Sequence, residues 1–156
     1  MRHRPSPLIG VVIVAGFVPV AGAQTPAVPQ PPPDHRQLVE MPPQTRAFIR
    51  QDMLDHLTAI NQIVADLGKN DLKSAADVAE QQLGVSTMGK YRGSPYAPGR
   101  FMPAGMRNMG STMHKAASDF AKVAREGDAK QAYVALEKVT SSCIGCHFSF
   151  RTKAQQ

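Results

Sequence analysis

Cys143-Ile144-Gly145-Cys146-His147 limits what this chain can be more than any other stretch. Two thiols at this spacing reach the two vinyl groups on one edge of a porphyrin and form thioethers. The next residue then falls under the iron, where a neutral His147 imidazole serves as proximal ligand. The string therefore reads as the attachment site of one covalently bound haem c. Two other uses of C-x-x-C fit less well. A zinc site needs a second pair of Cys or His ligands, and the chain has only two cysteines. A thioredoxin-like redox pair needs a βαβ setting, and no run of alternating residues argues for a sheet.

The start of the chain reads as an export address. Arg2 and Arg4 form a positive n-region, Leu8 to Val18 is an apolar run too short to span a bilayer comfortably, and Ala21-Gly22-Ala23 is a small-residue cleavage site. Residues 1–23 are thus expected to be a removable signal peptide, which predicts no stable membrane insertion after cleavage. The formal charge is +6; once Arg2 and Arg4 leave with the signal, 16 basic residues face 12 acidic ones, near +4. That mild excess suits steering toward acidic protein partners. No interleaved basic and aromatic pattern points to nucleic acid.

Residues 24–43 are proline-rich, with Pro31-Pro32-Pro33 and Pro42-Pro43. They are expected to be a disordered leader of polyproline character, and His35 within it is given no role. Beyond it, four helical segments are predicted over residues 44–153. The first runs from Gln44 to Leu67, with Ile49, Met53, Leu57, Ile60, Val64 and Leu67 near one stripe and Gly68 as its stop. A shorter second helix follows Asn70 as N-cap and ends at Gly84. Gly84 to Arg100 is dense in glycine and proline and reads as a long covering loop, with Tyr91 and Tyr96 placed either over a cofactor edge or as loop anchors. Pro103 opens a third helix to about Glu126, striped with Met106, Met109 and Met113; such a stripe is adaptable core that also suits a flat macrocycle. The last helix begins near Asp128 and carries the haem motif at its C-terminal end, on a face continued from Ala132, Leu136 and Val139.

Four amphipathic helices with C-x-x-C-H near the C-terminus resemble the cytochrome c′ and cytochrome c-556 family. The ending Phe148-Ser149-Phe150-Arg151 is similar to that family's C-x-x-C-H-x-x-[FY]-R, and Arg50-Gln51 also matches a family feature. The resemblance spans about Gln44 to Lys153. It implies an all-α fold, an antiparallel up-down-up-down four-helix bundle with covalently attached haem. It further implies periplasmic residence, redox proteins as partners, and a homodimer through the first two helices as the oligomer the family often forms. The methionine-rich third helix and its glycine-proline approach depart from a standard cytochrome c′.

In that family the first helix supplies the residue over the distal haem face. A methionine there gives a six-coordinate iron for electron transfer; an apolar residue leaves a five-coordinate iron that binds nitric oxide or carbon monoxide. Counting back from Gly68 points to Asp52 or Met53, and aligning Arg50-Gln51 points to Leu54. The apolar stripe selects Met53, since Leu54 is rotated by about 100° on a helix of 3.6 residues per turn. His56, one turn on, is a competing ligand, and His114 a weaker one. Arg50 and Arg151 are candidate partners of the haem propionates, because guanidinium matches carboxylate geometry. The expectation is an exported electron carrier that makes and breaks no substrate bonds and so is not an enzyme. The competing expectations are a gas binder, and a haem-bearing sensor or accessory subunit docked by the proline tail.

Overall fold

The computed structural model describes residues 32–153; the expected signal peptide and residues 24–31 of the proline leader lie outside the described residues. The compact unit begins at Asp34. Helix α1 spans Pro43–Gly68 and starts on Pro43, whose missing N–H costs nothing in a first turn. Its end is not made by Gly68. The chain turns at Asn70, which adopts the left-handed region at φ 57°, a conformation Asn tolerates better than most residues. The N-cap of α2 (Leu72–Val78) is therefore Asp71, not Asn70: the Asp71 carboxylate accepts a bond from the Ser74 N–H at 3.0 Å.

The chain then widens into one π-helical turn, Ala79–Leu83. The long connection that follows holds only two short 3₁₀ turns, Val85–Thr87 and Pro98–Arg100. Helix α3 runs Ala104–Arg125 and α4 runs Ala129–Ser149. Between them Gly127 takes φ 87°, and Asp128 caps α4 by accepting from the Gln131 N–H at 3.0 Å.

The main core is built where the helices carry alanine, which lets backbones approach. Phe120 on α3 is fully buried, flanked by Ala117, Ala121 and Ala124. Ala132, Leu136 and Val139 of α4, Ala75 and Ala76 of α2, and Leu83 of the π-helical turn close around it. Helix α3 packs along α4, and α2 packs against both α1 and α3, whereas direct packing of α1 on α4 is slight.

That arrangement corrects the stripe expected for α1. Leu67 is buried and Ile60 packs against the core, but Leu57 is 67% exposed and Val64 48%. The inward face is Ala59, Ile63, Asp66 and Leu67. Asp66 can be buried because Gln62 Nε2 and Ser74 Oγ each donate to its carboxylate at 2.8 Å, which offsets the cost of removing it from water. The stripe follows the short α2 that covers α1, not the largest apolar residues.

A second difference concerns the leader and the chain end. Gln37–Val39 forms strand β1, which pairs in parallel with β2, Phe150–Thr152, in the register Leu38 opposite Arg151. Val39 and Met41 are buried in a second, smaller core with Met106, against which Ile49, Cys146 and Phe150 pack. The end of the proline-rich leader is thus tied to the residues just after the haem motif. Three-residue strands of this kind leave no readable alternation in sequence.

Candidate haem site

The face of α4 that builds the main core continues one turn at a time into the motif. Cys143 packs against the main core, and Cys146, one turn on, packs against the second. Both thiols are free and half-buried, and burial pushes the titration of each upward, that of Cys146 further through its neighbour Cys143. His147 lies in the last turn with its ring exposed. Arg36 Nη1 lies 3.5 Å from the His147 carbonyl, a cation at the C-terminal end of the helix dipole. The Asp34 carboxylate joins Arg36 at 2.8 Å and Arg151 at 3.4 Å. The Arg36 guanidinium holds it well below the usual carboxylate range, with Arg151 adding a smaller share.

Cys146 and His147 open on a cleft of about 470 Å³ between α1, the long loop, α3 and α4. Helix α1 contributes Ile49, Asp52, Met53 and His56; five of the chain's eight methionines line the space, namely Met53, Met88, Met102, Met106 and Met113. The lining is therefore mostly soft and apolar, with one imidazole on α4 and a thioether on α1. Met53 is 39% exposed, and His147 is on the same lining. Asp52 lines the cleft too, but its carboxylate is engaged: Tyr91 Oη donates to it at 2.8 Å and Lys90 Nζ at 3.0 Å. Leu54 faces outward, 53% exposed and away from this lining.

The loop that covers the cleft is pinned by its tyrosines. The Tyr91 ring stacks on Phe48 with centroids 4.5 Å apart, and Thr45 Oγ1 donates to the Tyr96 carbonyl at 3.0 Å. Tyr91 also edges a second cavity of about 670 Å³ that shares Asp52, His56, Met88, Met102 and His114 with the lining of the first. His56 and His114 meet there edge to face, centroids 6.0 Å apart. Burial, reinforced by His114, pushes the His56 titration down.

Two observations test the cleft against a haem. Arg151 lines it, and its Nε is buried without a hydrogen-bond partner even though Asp34 stands at ion-pair distance. A propionate would supply the missing acceptor. Gly110, in mid-helix on α3, also lines the cleft, and a Cβ there would meet nothing within 4 Å. Glycine costs a helix about 1 kcal/mol relative to alanine; in return, this wall stays flat where a macrocycle would lie. Together with the two thiols and His147, the residues present fit the group. Arg50 is exposed and not on the cleft lining, so the structure does not bring it to the site. Sequence reasoning passed over Arg36 and Asp34, hidden in a proline-rich stretch, and over the Tyr91–Asp52–Lys90 cluster, whose members lie some 40 positions apart in sequence.

The last helix presents Cys146 and His147 to a largely apolar cleft, with Cys143 one turn earlier against the main core, a residue set that suits a c-type haem-binding protein. The family described as Cytochrome C′ matches residues 102–151, from Met102 through α3 and α4 to Arg151, and supports assignment of the chain to that family. No curated protein and no solved structure matches the chain. The matched stretch contains Cys143, Cys146, His147 and Arg151 but not α1, so the distal residue rests on the geometry of this chain alone. Among the described residues, no helix is long and apolar enough to cross a membrane.

Proposed function

We propose that the protein is an exported, periplasmic c-type cytochrome that passes single electrons and is not an enzyme. One haem c is held covalently by Cys143 and Cys146 in an antiparallel up-down-up-down bundle, with His147 as proximal and Met53 as distal iron ligand. The observation that carries this reading is that Met53 and His147 come from separate helices onto the lining of one cleft. Bound there, haem supplies a one-electron couple at iron. The protein's own residues do the rest: Arg151 takes a propionate, the methionine-rich walls exclude water and favour the less charged ferrous state, and a thioether ligand raises the potential further.

Redox partners would meet the molecule over the exposed end of α4, where Ile144 and Phe148 stand outward, Phe148 80% exposed; such encounters bury little surface. The outward face of α1, with Leu54, Leu57 and Val64 exposed, suits a homodimer through the first helices. A second reading is favoured by the slight packing of α1 on α4. If that gap widens at the iron, Met53 only lines an open distal pocket and the protein binds nitric oxide or carbon monoxide. Optical spectra of the oxidised and reduced holoprotein, beside Met53→Ala, separate the two. A low-spin spectrum with the far-red band of a methionine–iron bond, lost in the variant, is expected. A high-spin spectrum with ready carbon monoxide binding overturns the distal assignment.

A further inference from the structure

Strand β1 reaches the haem motif from the far end of the chain. Its residues alternate: Val39 and Met41 are buried, while Glu40 between them is exposed. Both buried side chains lie in the small core against which Cys146 and Phe150 pack. The parallel register sets Leu38 opposite Arg151, and an ion pair stands at each end of it. Lys153 Nζ meets Glu40 Oε2 at 3.0 Å, and Arg151 Nε meets Asp34 Oδ2 at 3.4 Å. Exposed pairs of this kind contribute little to stability. Burial of Val39 and Met41 therefore holds the strand, and the strand places the charges.

Asp34 is gripped on both oxygens by one guanidinium. Arg36 Nε donates to Oδ1 at 2.9 Å and Arg36 Nη2 to Oδ2 at 2.8 Å, and the Arg36 backbone N–H adds a bond to Oδ1 at 3.1 Å. The same guanidinium reaches the His147 carbonyl. The carboxylate so fixed faces Arg151 at ion-pair distance, yet Arg151 Nε has no hydrogen-bond partner. Asp34 thus holds the Arg151 cation by charge while that N–H stays free for another acceptor. Arg151 lines the cleft, and none of residues 34–41 is on that lining. The leader therefore acts on the cleft through Arg151 rather than by touching what fills it.

We propose that strand β1 is a clasp that positions Arg151 at the cleft wall, and that Asp34 sets how much of the Arg151 charge reaches the haem, so that the leader tunes the reduction potential. This rests on the reading of the cleft as the haem site with Arg151 toward a propionate. A cation beside the haem favours the less positive ferrous state, and a carboxylate paired with that cation weakens its effect. Arg151 and Asp34 thus push the potential in opposite directions, and Asp34 does so by way of Arg151. Both are positioning residues that leave the iron ligands alone.

The test is redox titration of the holoprotein followed by its optical spectrum. Asp34→Asn should raise the potential, seen as a roughly two- to five-fold larger ferrous-to-ferric ratio at a fixed potential, the size an exposed charge pair carries. Arg151→Gln should lower it. In the Arg151→Gln background the same Asp34→Asn change should shift the potential by much less, the non-additivity of groups that share a contact. Val39→Asn puts an amide into the small core and releases the strand. Amide hydrogen exchange at 150–152 should then speed up, and Asp34→Asn should no longer move the potential. If Val39→Asn fails to fold, the Asp34–Arg151 cycle decides alone. Equal shifts from Asp34→Asn with and without Arg151, or exchange at 150–152 unaltered by Val39→Asn, overturn the proposal. A potential moved by Arg151→Gln but unmoved or lowered by Asp34→Asn overturns it alone, whereas one unmoved by Arg151→Gln overturns the propionate reading with it. Haem content measured as the pyridine complex on the same samples reports failure of covalent attachment separately.

Discussion

Replacing Ile63 and Leu57 by alanine, one at a time, asks which face of α1 holds the protein together. Ile63 is fully buried, and Leu57 is 67% exposed. Full burial of an aliphatic side chain of this size stabilises by about 1.5–3 kcal/mol. Truncation of Ile63 loses most of that and leaves a cavity against Ala59 and the alanines of α2, so a cost of about 2–5 kcal/mol is expected. Leu57 has a third of its surface covered and leaves no enclosed void, so its truncation should cost about 0.5–1 kcal/mol at most. The gap is large beside a total stability of about 5–15 kcal/mol. Urea denaturation of the holoprotein, at low concentration so that any self-association is dissociated, measures it as a shift in midpoint at constant slope. The reasoning fails if Leu57→Ala costs as much as Ile63→Ala under those conditions. That result would restore the apolar stripe read from the sequence and place α1 about a third of a turn from where it lies here.

Two further outcomes are expected. Tyr91→Phe removes the O–H that donates to Asp52 at 2.8 Å but keeps the stack on Phe48; it should cost about 1 kcal/mol, while Tyr91→Ala also loses the stack, worth about 0.5–1.5 kcal/mol beyond burial, and should speed proteolysis within 84–100. The Glu80 carboxyl is held below its ordinary range chiefly by Ser118, with Ser86 second. A depressed carboxylate stabilises the fold above its unfolded pKa, and the contribution is lost as pH falls through the folded value. Urea midpoints at pH 7 and pH 3 should therefore converge less in wild type than in Glu80→Gln, and an equal loss in both would remove Glu80 from the account.

The C-x-x-C-H motif is legible because its chemistry needs Cys143, Cys146 and His147 at one fixed spacing within a single helix. The methionine-rich third helix is legible for a similar reason: spacing by three and four residues puts Met106 and Met113 on one face whatever packs there. Asn70 and Asp71 were harder to tell apart, because either side chain caps a helix and only the backbone turn decides which one does. The leader was misread between Gln37 and Met41, since its composition is that of free chain and its order comes from a partner strand more than a hundred residues away.

Sequence alone thus determined what is local: helical segments, the C-x-x-C-H motif, and the candidates Met53, His56 and Arg151 for the space around it. The tertiary structure decided what depends on partners. It turned α1 so that Ile63 rather than Leu57 is covered, because burial is set by the helix that arrives to cover a face. It left Arg151 Nε without an acceptor at the cleft wall, kept Arg50 off the cleft lining, and brought His56 to His114, contacts between residues far apart in the chain that no local pattern encodes.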